Sequence, residues 1–581
     1  LGSSPASEAV SDFDRQLTDV KEKIVPKAKP TASAKPRGSS ETLVIQRAAL
    51  IDGTGRPPLE DAVIVIEGER IKSIGQNGEI TPPERSRIID AKGMTAVPGF
   101  IDGHGHYEDF AGEIYLHLGV TTCPDIQTTR DDYWSMAQRD GIRLGRIRGP
   151  RIWSAGKAVG QTSDTTAMGG GRRGAFPVKS PEEGRELVRL KKKMGLDQIK
   201  LGESLRGETL HAVVDEAHRI GFAVIAHSLD VLASAEAGVD AVEHHWSVGL
   251  SSISDPEKKA KLIADRWQGR LDTEELPFYY EVESFDRLIE AMVRKGVSWS
   301  PTIGTWFRPL SPSAGRFRRR ELSILDNPKA RYLPDVLRAI VLGPYRKYKK
   351  WPADKLGRIK KGYEKIEEFM RRFAKAGGTI RAGSDPNHGM LALDIHEELT
   401  MFVEAGLTPM QAIQSATINV AKTFWKDKDF GTVEPGKIAD VVLVQGNPWK
   451  DIWATQNVKK VLMAGKPIDI GFHPDYKNPI PSPEPWRNIP RQIEVAPRTI
   501  PEGKKSTVVS VKATAGRVAA WHKVALDGKE LKTRFVSSTE LKATVPAQTI
   551  KKAGTYSVTV VSPRESGGCS TAAPLIVTFT K

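Results

Sequence analysis

Apolar and polar positions fall into distinct regimes along the chain. From 42 to 96 they form short runs rich in β-branched residues at 42–50, 62–66 and 70–74, the last after a Glu67-Gly68-Glu69 turn. Such runs bounded by turn residues predict short strands. Between 110 and 425 short apolar runs alternate with helical periodicity. Residues 199–201 read as a strand, 209–220 as a helix, 223–227 as a strand, 231–237 as a helix and 241–244 as a strand. This rhythm predicts a parallel sheet with helical crossovers. Some 320 residues of it fit an α/β fold of the (β/α)8 TIM-barrel type, with an open doubly wound sheet as the alternative.

Two charged stretches interrupt the rhythm, near 251–290 and 303–351, and the second contains Arg316-Phe317-Arg318-Arg319-Arg320. Long insertions after barrel strands are where active-site lids arise, and a solvated helical face is the competing reading. After 426, strands return at 441–444 and 458–464 around a turn at 436–440. Residues 471–490 read as a semi-rigid linker, with five prolines between Pro479 and Pro490. From 491 onward, strand-like runs at 506–511, 532–536, 540–545, 554–561 and 575–579 predict a small all-β sandwich. Residues 1–41 have no apolar period and read as a disordered tail. A start at Leu1 without a signal peptide is the expectation for a processed, extracytoplasmic chain or for a recombinant form.

Composition narrows the classes. Of 581 residues, 39% are hydrophobic, an ordinary globular share. Two cysteines, Cys123 and Cys569, exclude a disulfide framework and a thiolate zinc site. No apolar run approaches the ~18 residues that span a bilayer. The net charge of +15 suggests an anionic partner, but its distribution shifts that reading. Residues 487–581 hold 16 basic and 6 acidic residues, whereas 42–486 hold 63 and 59. Most of the excess therefore sits on the C-terminal module, which suits a surface or polymer. The larger part of the chain is close to neutral, and no nucleic acid is expected.

Candidate chemistry lies at the ends of the predicted strands. In His104-Gly105-His106 the imidazoles are two apart, so a strand presents them on one side, and Gly105 removes bulk between them. Lys200 closes the run 199–201, His227 ends 224–227, His244 follows 241–243, and Asp385 ends 381–385. Barrel enzymes place catalytic groups at C-terminal strand ends. Singly, either later histidine reads equally as a satisfied core residue and Asp385 as a helix cap. Six such residues together argue for a site.

The run from Ala96 through Val97-Pro98-Gly99-Phe100-Ile101-Asp102-Gly103 to His104-Gly105-His106 resembles the opening motif of the amidohydrolase superfamily. Gly119-Val120-Thr121-Thr122, Ala405-Gly406-Leu407-Thr408-Pro409, Ala416-Thr417, Asn419-Val420-Ala421 and Gly436-Lys437-Ile438-Ala439-Asp440-Val441-Val442 agree with it, so the likeness covers roughly 42–470. Lys200 makes the chain most similar to the carboxylated-lysine branch, with its prolidase-like and ochratoxin-hydrolysing members. That resemblance implies two divalent metal ions, with His104 and His106 on the first and His227 and His244 on the second. A CO2-derived carbamate on Lys200 would bridge them, and Asp385 would complete the first site and act as the catalytic acid–base. The spacing of 27 residues from Lys200 to His227 and 17 from there to His244 agrees. His245 is the rival to His244, which is preferred because it directly follows Glu243, as in the family's Glu-His pair.

The resemblance further implies that 42–96 and 426–470 pair into one small sandwich beside a barrel over 97–425, and that the protein forms homo-oligomers. The stretch 554–561, with 535–541 before it, resembles an IPT/TIG-type immunoglobulin-like domain, usually an extracytoplasmic companion. One departure stands out. Where the family commonly has Gly-Gly-His, this chain has Gly169-Gly170-Gly171-Arg172-Arg173-Gly174. Arg172 and Arg173 offer guanidiniums to an anionic substrate, against a flexible Gly-rich loop with solvated arginines. His388 is a further substrate-binding candidate, whereas His396, in His396-Glu397-Glu398-Leu399, reads as structural.

Two cations about 3.5–4 Å apart bring the pKa of a shared water toward ~7 and polarise a carbonyl. A neutral amine cannot bridge them; a carbamate can, and burial at a strand end favours the deprotonated lysine it forms from. Imidazoles suit zinc first, with manganese, cobalt or nickel also possible. The expected activity is hydrolysis of an amide or peptide-like C–N bond in a carboxylate-bearing dipeptide, N-acyl amino acid or ochratoxin-like amide. Hydrolysis of a cyclic amide, lactone or phosphotriester is the alternative, and a non-catalytic polymer-binding protein is the third reading.

Overall fold

The computed structural model describes residues 42–127, 132–161, 176–386, 391–480 and most of 492–578. The predicted tail, Arg172, Arg173, His388 and the second half of the proline-rich linker lie outside the described residues. The chain divides into two compact units, the second comprising 333–339 and 482–581.

In the first unit, strands from both ends of the segment share one eight-stranded sheet. Its order is Lys466–Ile468, Val458–Met463, Val441–Gln445, Met94–Pro98, Thr42–Leu50, Leu59–Glu67 and Arg70–Gln76, with Arg87–Asp90 also on Thr42–Leu50. Leu43, Ile45, Ile64, Ile66, Val441, Leu443 and Leu462 fill its core. Strand Thr42–Leu50 changes parallel partner along one edge: Leu43 to Gln46 pair with Arg87–Asp90, then Ala49 and Leu50 with Thr95 and Ala96. Irregular register around Arg47, whose φ is 65°, turns the strand between them.

The parallel core follows. Phe100–Ile101, Val120–Asp125 and Arg151–Ser154 form one sheet. Phe176–Pro177, Val159–Gly160, Ile199–Leu201, Val224–Ala226, Ala241–Glu243 and Ser298–Ser300 form a second. Amphipathic helices such as Gly207–Arg219 and Phe285–Lys295 supply the crossovers. The expected closed eight-stranded ladder is not present among the described residues. Most of these strands are only two to four residues long, so neighbouring segments meet through single bonds. Asp197 N donates to Ser154 O at 2.8 Å and Gly103 N to Ala382 O at 2.8 Å, and Ile380 bridges Trp299.

The charged insertions are helical. The first carries Pro256–Trp267 and the 3-10 helix Thr273–Tyr279, and the second includes Ala314–Leu325. In the latter, Phe317 stacks on Trp453 and the Arg316 guanidinium lies 3.9 Å from the same ring, so this part of the arginine run packs against an aromatic side chain. Among the described residues no helix is long and apolar enough to cross a membrane.

The second unit is a separate, mostly antiparallel β region. Gln492–Ala496, Thr507–Ala515, Glu540–Val545 and Lys532–Ser537 form one sheet; Thr499–Pro501, Ala573–Thr578, Gly554–Val561, Lys523–Leu526 and Lys529–Glu530 form another. Val509, Val511 and Leu541 from the first share a core with Val524, Val558 and Val560 from the second.

Candidate metal centre

The opening motif turns on close backbone approach. A Cβ at Gly103 would meet Ala382 O at 2.5 Å, and one at Gly105 would meet Cys123 Sγ at 2.3 Å. Gly105 thus makes room for Cys123 on the neighbouring strand, beyond any relief of the imidazoles. Asp102, fully buried, accepts hydrogen bonds from His104 N (3.2 Å), Ser384 N (2.9 Å), Ser384 Oγ (2.6 Å) and Tyr115 OH (3.2 Å). Asp385 N donates to His104 O at 2.9 Å. The loop carrying Asp385 is therefore stitched to the loop carrying His104 and His106.

Five side chains converge there. Donor atoms of His104, His106 and Asp385 lie within 4.8 Å of one another, as do those of His104, His227 and His244. His106 Nδ1 donates to Gln127 O at 2.9 Å, which turns its Nε2 to within 3.5 Å of Asp385 Oδ1. His104 Nδ1 is held by Glu243, and its Nε2 lies 3.9 Å from Asp385 Oδ1. His227 Nε2 and His244 Nε2 face each other at 3.0 Å, close to the separation of about 3.3 Å expected for two imidazoles on one tetrahedral zinc at ~2.0–2.1 Å. His244 begins the helix His244–Ser252 with φ 65°, so the preceding strand ends at Glu243 rather than at 244. His245 points elsewhere, with Nδ1 2.9 Å from Tyr280 OH. Lys200 is fully buried in Ile199–Leu201, and its charge is felt by His104, Glu243 and His244.

The donor set fits divalent metal. Burial lowers His104 to about 4 and His244 well below the ordinary imidazole value, with the neighbouring histidines adding to the effect at His244. Both are therefore neutral at neutral pH, the form that ligates. Two overlapping groups sharing His104 make a binuclear metal site of the kind that suits amidohydrolase-type cleavage of an amide or peptide C–N bond.

Sequence reasoning missed the residues that hold these ligands. Glu243 sits between His104 and Arg381: Arg381 donates to its Oε1 at 2.5 Å, to Gly103 O at 2.8 Å and to Ser298 Oγ at 3.1 Å. Burial alone would raise Glu243, but Arg381 and His104 outweigh it and bring the carboxyl down to about 2. An ionised carboxylate on Nδ1 fixes the tautomer of His104 and raises its basicity. Glu243→Gln should weaken metal binding by roughly 10–100-fold, measured by chelator competition; unchanged affinity would refute this role. Trp246 stacks on His244 at 3.8 Å, and Arg266 lies 4.2 Å from the Trp246 ring. His396 spans Leu118 O (2.8 Å) and Thr455 Oγ1 (3.0 Å), a packing role.

The family model described as Amidohydrolase family matches residues 95–468. The chain belongs to the amidohydrolase family. This amidohydrolase is 24% identical to the imidazolonepropionase of Symbiobacterium thermophilum over 431 residues, which cover 70% of this chain and 91% of that one. Among solved structures, a Xaa-Pro dipeptidase shares 23% identity with a TM-score of 0.51, over 74% of this chain and 100% of that one. The ochratoxinase of A. niger shares 21% identity with a TM-score of 0.52, over 76% and 99%. These structures share the fold with the amidohydrolase described here.

A pH dependence follows from the buried imidazoles. In the metal-free amidohydrolase, burial holds both His104 and His396 at about 4, below the ordinary 6.5. Between those values the unfolded chain binds protons that the folded chain does not, so stability falls as pH drops through that window and is restored above it. The urea midpoint of the metal-free protein should decrease from about pH 7 to about pH 5; a flat profile would contradict neutral burial.

Proposed function

We propose that this amidohydrolase is a binuclear, preferably zinc-dependent enzyme that hydrolyses the amide or peptide-like C–N bond of a small carboxylate-bearing substrate. A dipeptide, an N-acyl amino acid or an ochratoxin-like amide fits that description. The observation that carries the reading is the pair of donor groups sharing His104, one of which includes Asp385. In this reading the parallel strands form a (β/α)8 barrel, and Lys200 would carry a carbamate that adds anionic oxygens to the donor set. The bound metals would supply Lewis acidity and an acidified water. The chain's own part is to hold four imidazoles and the Asp385 carboxylate within reach of one another. Asp385 then accepts a proton from the nucleophile and delivers it to the leaving nitrogen. The names of the dipeptidase and the ochratoxinase that share the fold support this substrate class.

A cyclic amide is the second reading. An imidazolone is a cyclic amide, and the match to an imidazolonepropionase runs over most of that protein. The C-terminal unit is proposed as an immunoglobulin-like module of the IPT/TIG type facing a surface or polymer, on an exported, oligomeric enzyme. Elemental analysis should give two metal ions per chain, and incubation with dipeptides, N-acyl amino acids, their methyl esters and cyclic amides should release free amine. Preference for free acids over esters supports an anion pocket. A metal-loaded protein that opens no C–N bond in the panel would overturn the proposal.

A further inference from the structure

Glu398 lies on the helix Leu393–Glu404 and is fully buried. Its carboxylate spends both oxygens on a distant backbone: Oε1 accepts from Ile303 N at 3.1 Å, and Oε2 from Gly304 N at 2.6 Å. These two amides open the short helix Ile303–Phe307. A Cβ at Gly304 would lie 3.0 Å from Glu398 Oε2, so the glycine admits the carboxylate.

The clamped segment reaches the metal centre at two points. Thr302, immediately before it, is forced to φ 50°. Its hydroxyl donates to Pro301 O at 2.9 Å and lies 2.8 Å from His244 Nδ1. A hydroxyl that donates to the carbonyl accepts from His244 Nδ1–H. That leaves the His244 Nε2 lone pair facing His227. Thr305 Oγ1, three residues on, lies 3.0 Å from each of the carbonyls of Ser384 and Asp385 and shares its one proton between them. Asp385 and His244 themselves have positive φ, 34° and 65°. Such conformations are sparsely populated and persist only where the surroundings over-determine them. Here one bracket touches a residue from each half of the metal centre.

We propose that Glu398 is a positioning residue of the metal centre: by clamping the start of Ile303–Phe307 it sets Thr302 to fix the tautomer of His244 and Thr305 to hold the backbone of Asp385. This rests on the binuclear reading of the site, and the test separates the two. Zinc is titrated against a chromophoric chelator into metal-free wild type, Glu398→Ala, Glu398→Gln, Thr302→Val and Thr302→Ser, with thermal melts alongside. Wild type should bind two ions. Thr302→Val and Glu398→Ala should weaken the ion held by His227 and His244 by roughly 10–100-fold. Glu398→Gln, which keeps one acceptor, should fall between, and Thr302→Ser, which keeps the hydroxyl, should restore the wild-type curve. A merely structural role would shift the melts without this pattern of loss and rescue. If Glu398→Ala does not fold, Glu398→Gln and the Thr302 pair decide the matter. Wild-type affinities for both ions in folded Thr302→Val and in Glu398→Gln would overturn the proposal. Fewer than two ions in wild type would overturn the binuclear reading instead, and the bracket's purpose with it.

Discussion

Asp385→Asn should lower kcat by about 10²–10⁴-fold while leaving the fold intact. The substitution is nearly isosteric. It keeps the backbone bond from residue 385 to His104 O and the Asp102–Ser384 bonds that set the loop. What it removes is a buried carboxylate whose Oδ1 lies 3.5 Å from His106 Nε2 and whose Oδ2 lies 3.7 Å from His244 Nδ1. An amide at that place binds metal weakly and accepts no proton, so in the proposed mechanism both the first metal position and the proton transfer to the leaving nitrogen would fail together. Steady-state kinetics at saturating zinc, with metal content measured on the same sample, separate the two losses. A variant that keeps wild-type kcat would remove Asp385 from the chemistry.

Arg308→Met should destabilise the fold by about 3–5 kcal/mol. Arg308 is fully buried and pairs through Nε with Glu321 at 3.1 Å, with Glu397 at 3.9 Å, while NH1 and NH2 donate to Gly304 O (3.3 Å) and Val341 O (3.0 Å). Carboxylate oxygens of Glu321, Glu397 and Asp394 lie within 4.8 Å of one another, all buried. Burial raises Glu321 and Glu397 above the ordinary carboxylate range even with the guanidinium present. Methionine fills the space of the side chain and supplies no countercharge, so the variant must protonate or hydrate these acids to fold. Urea unfolding of the metal-loaded protein measures the loss; an unchanged midpoint would show that the guanidinium is dispensable.

Much of the scaffold was legible in the chain. The run 199–201 is a strand of those same residues, 540–545 and 554–561 likewise, and 209–220 is the helix Gly207–Arg219. In each, one face or the whole run is apolar, and local periodicity reports burial directly. The misreadings fall where tertiary contacts override that signal. Residue 244 continues an apolar strand in sequence, yet its positive φ starts a helix and swings the imidazole toward His227. Nor does the arginine run at 316–320 announce in sequence that Arg316 lies over Trp453.

By itself the sequence determined the class of chemistry. The His104-Gly105-His106 motif, Lys200, His227, His244 and Asp385 carry the amidohydrolase pattern, because metal ligation needs particular residue types. Only the tertiary structure decided how those ligands are held. Glu243 meets His104 across 139 residues, Glu398 meets Ile303 across 95, and His244 rather than His245 turns into the cluster. Periodicity records which side of an element is buried. Which buried polar group meets which is fixed by the packing of distant segments, where each unpaired donor or acceptor would cost about 1–3 kcal/mol.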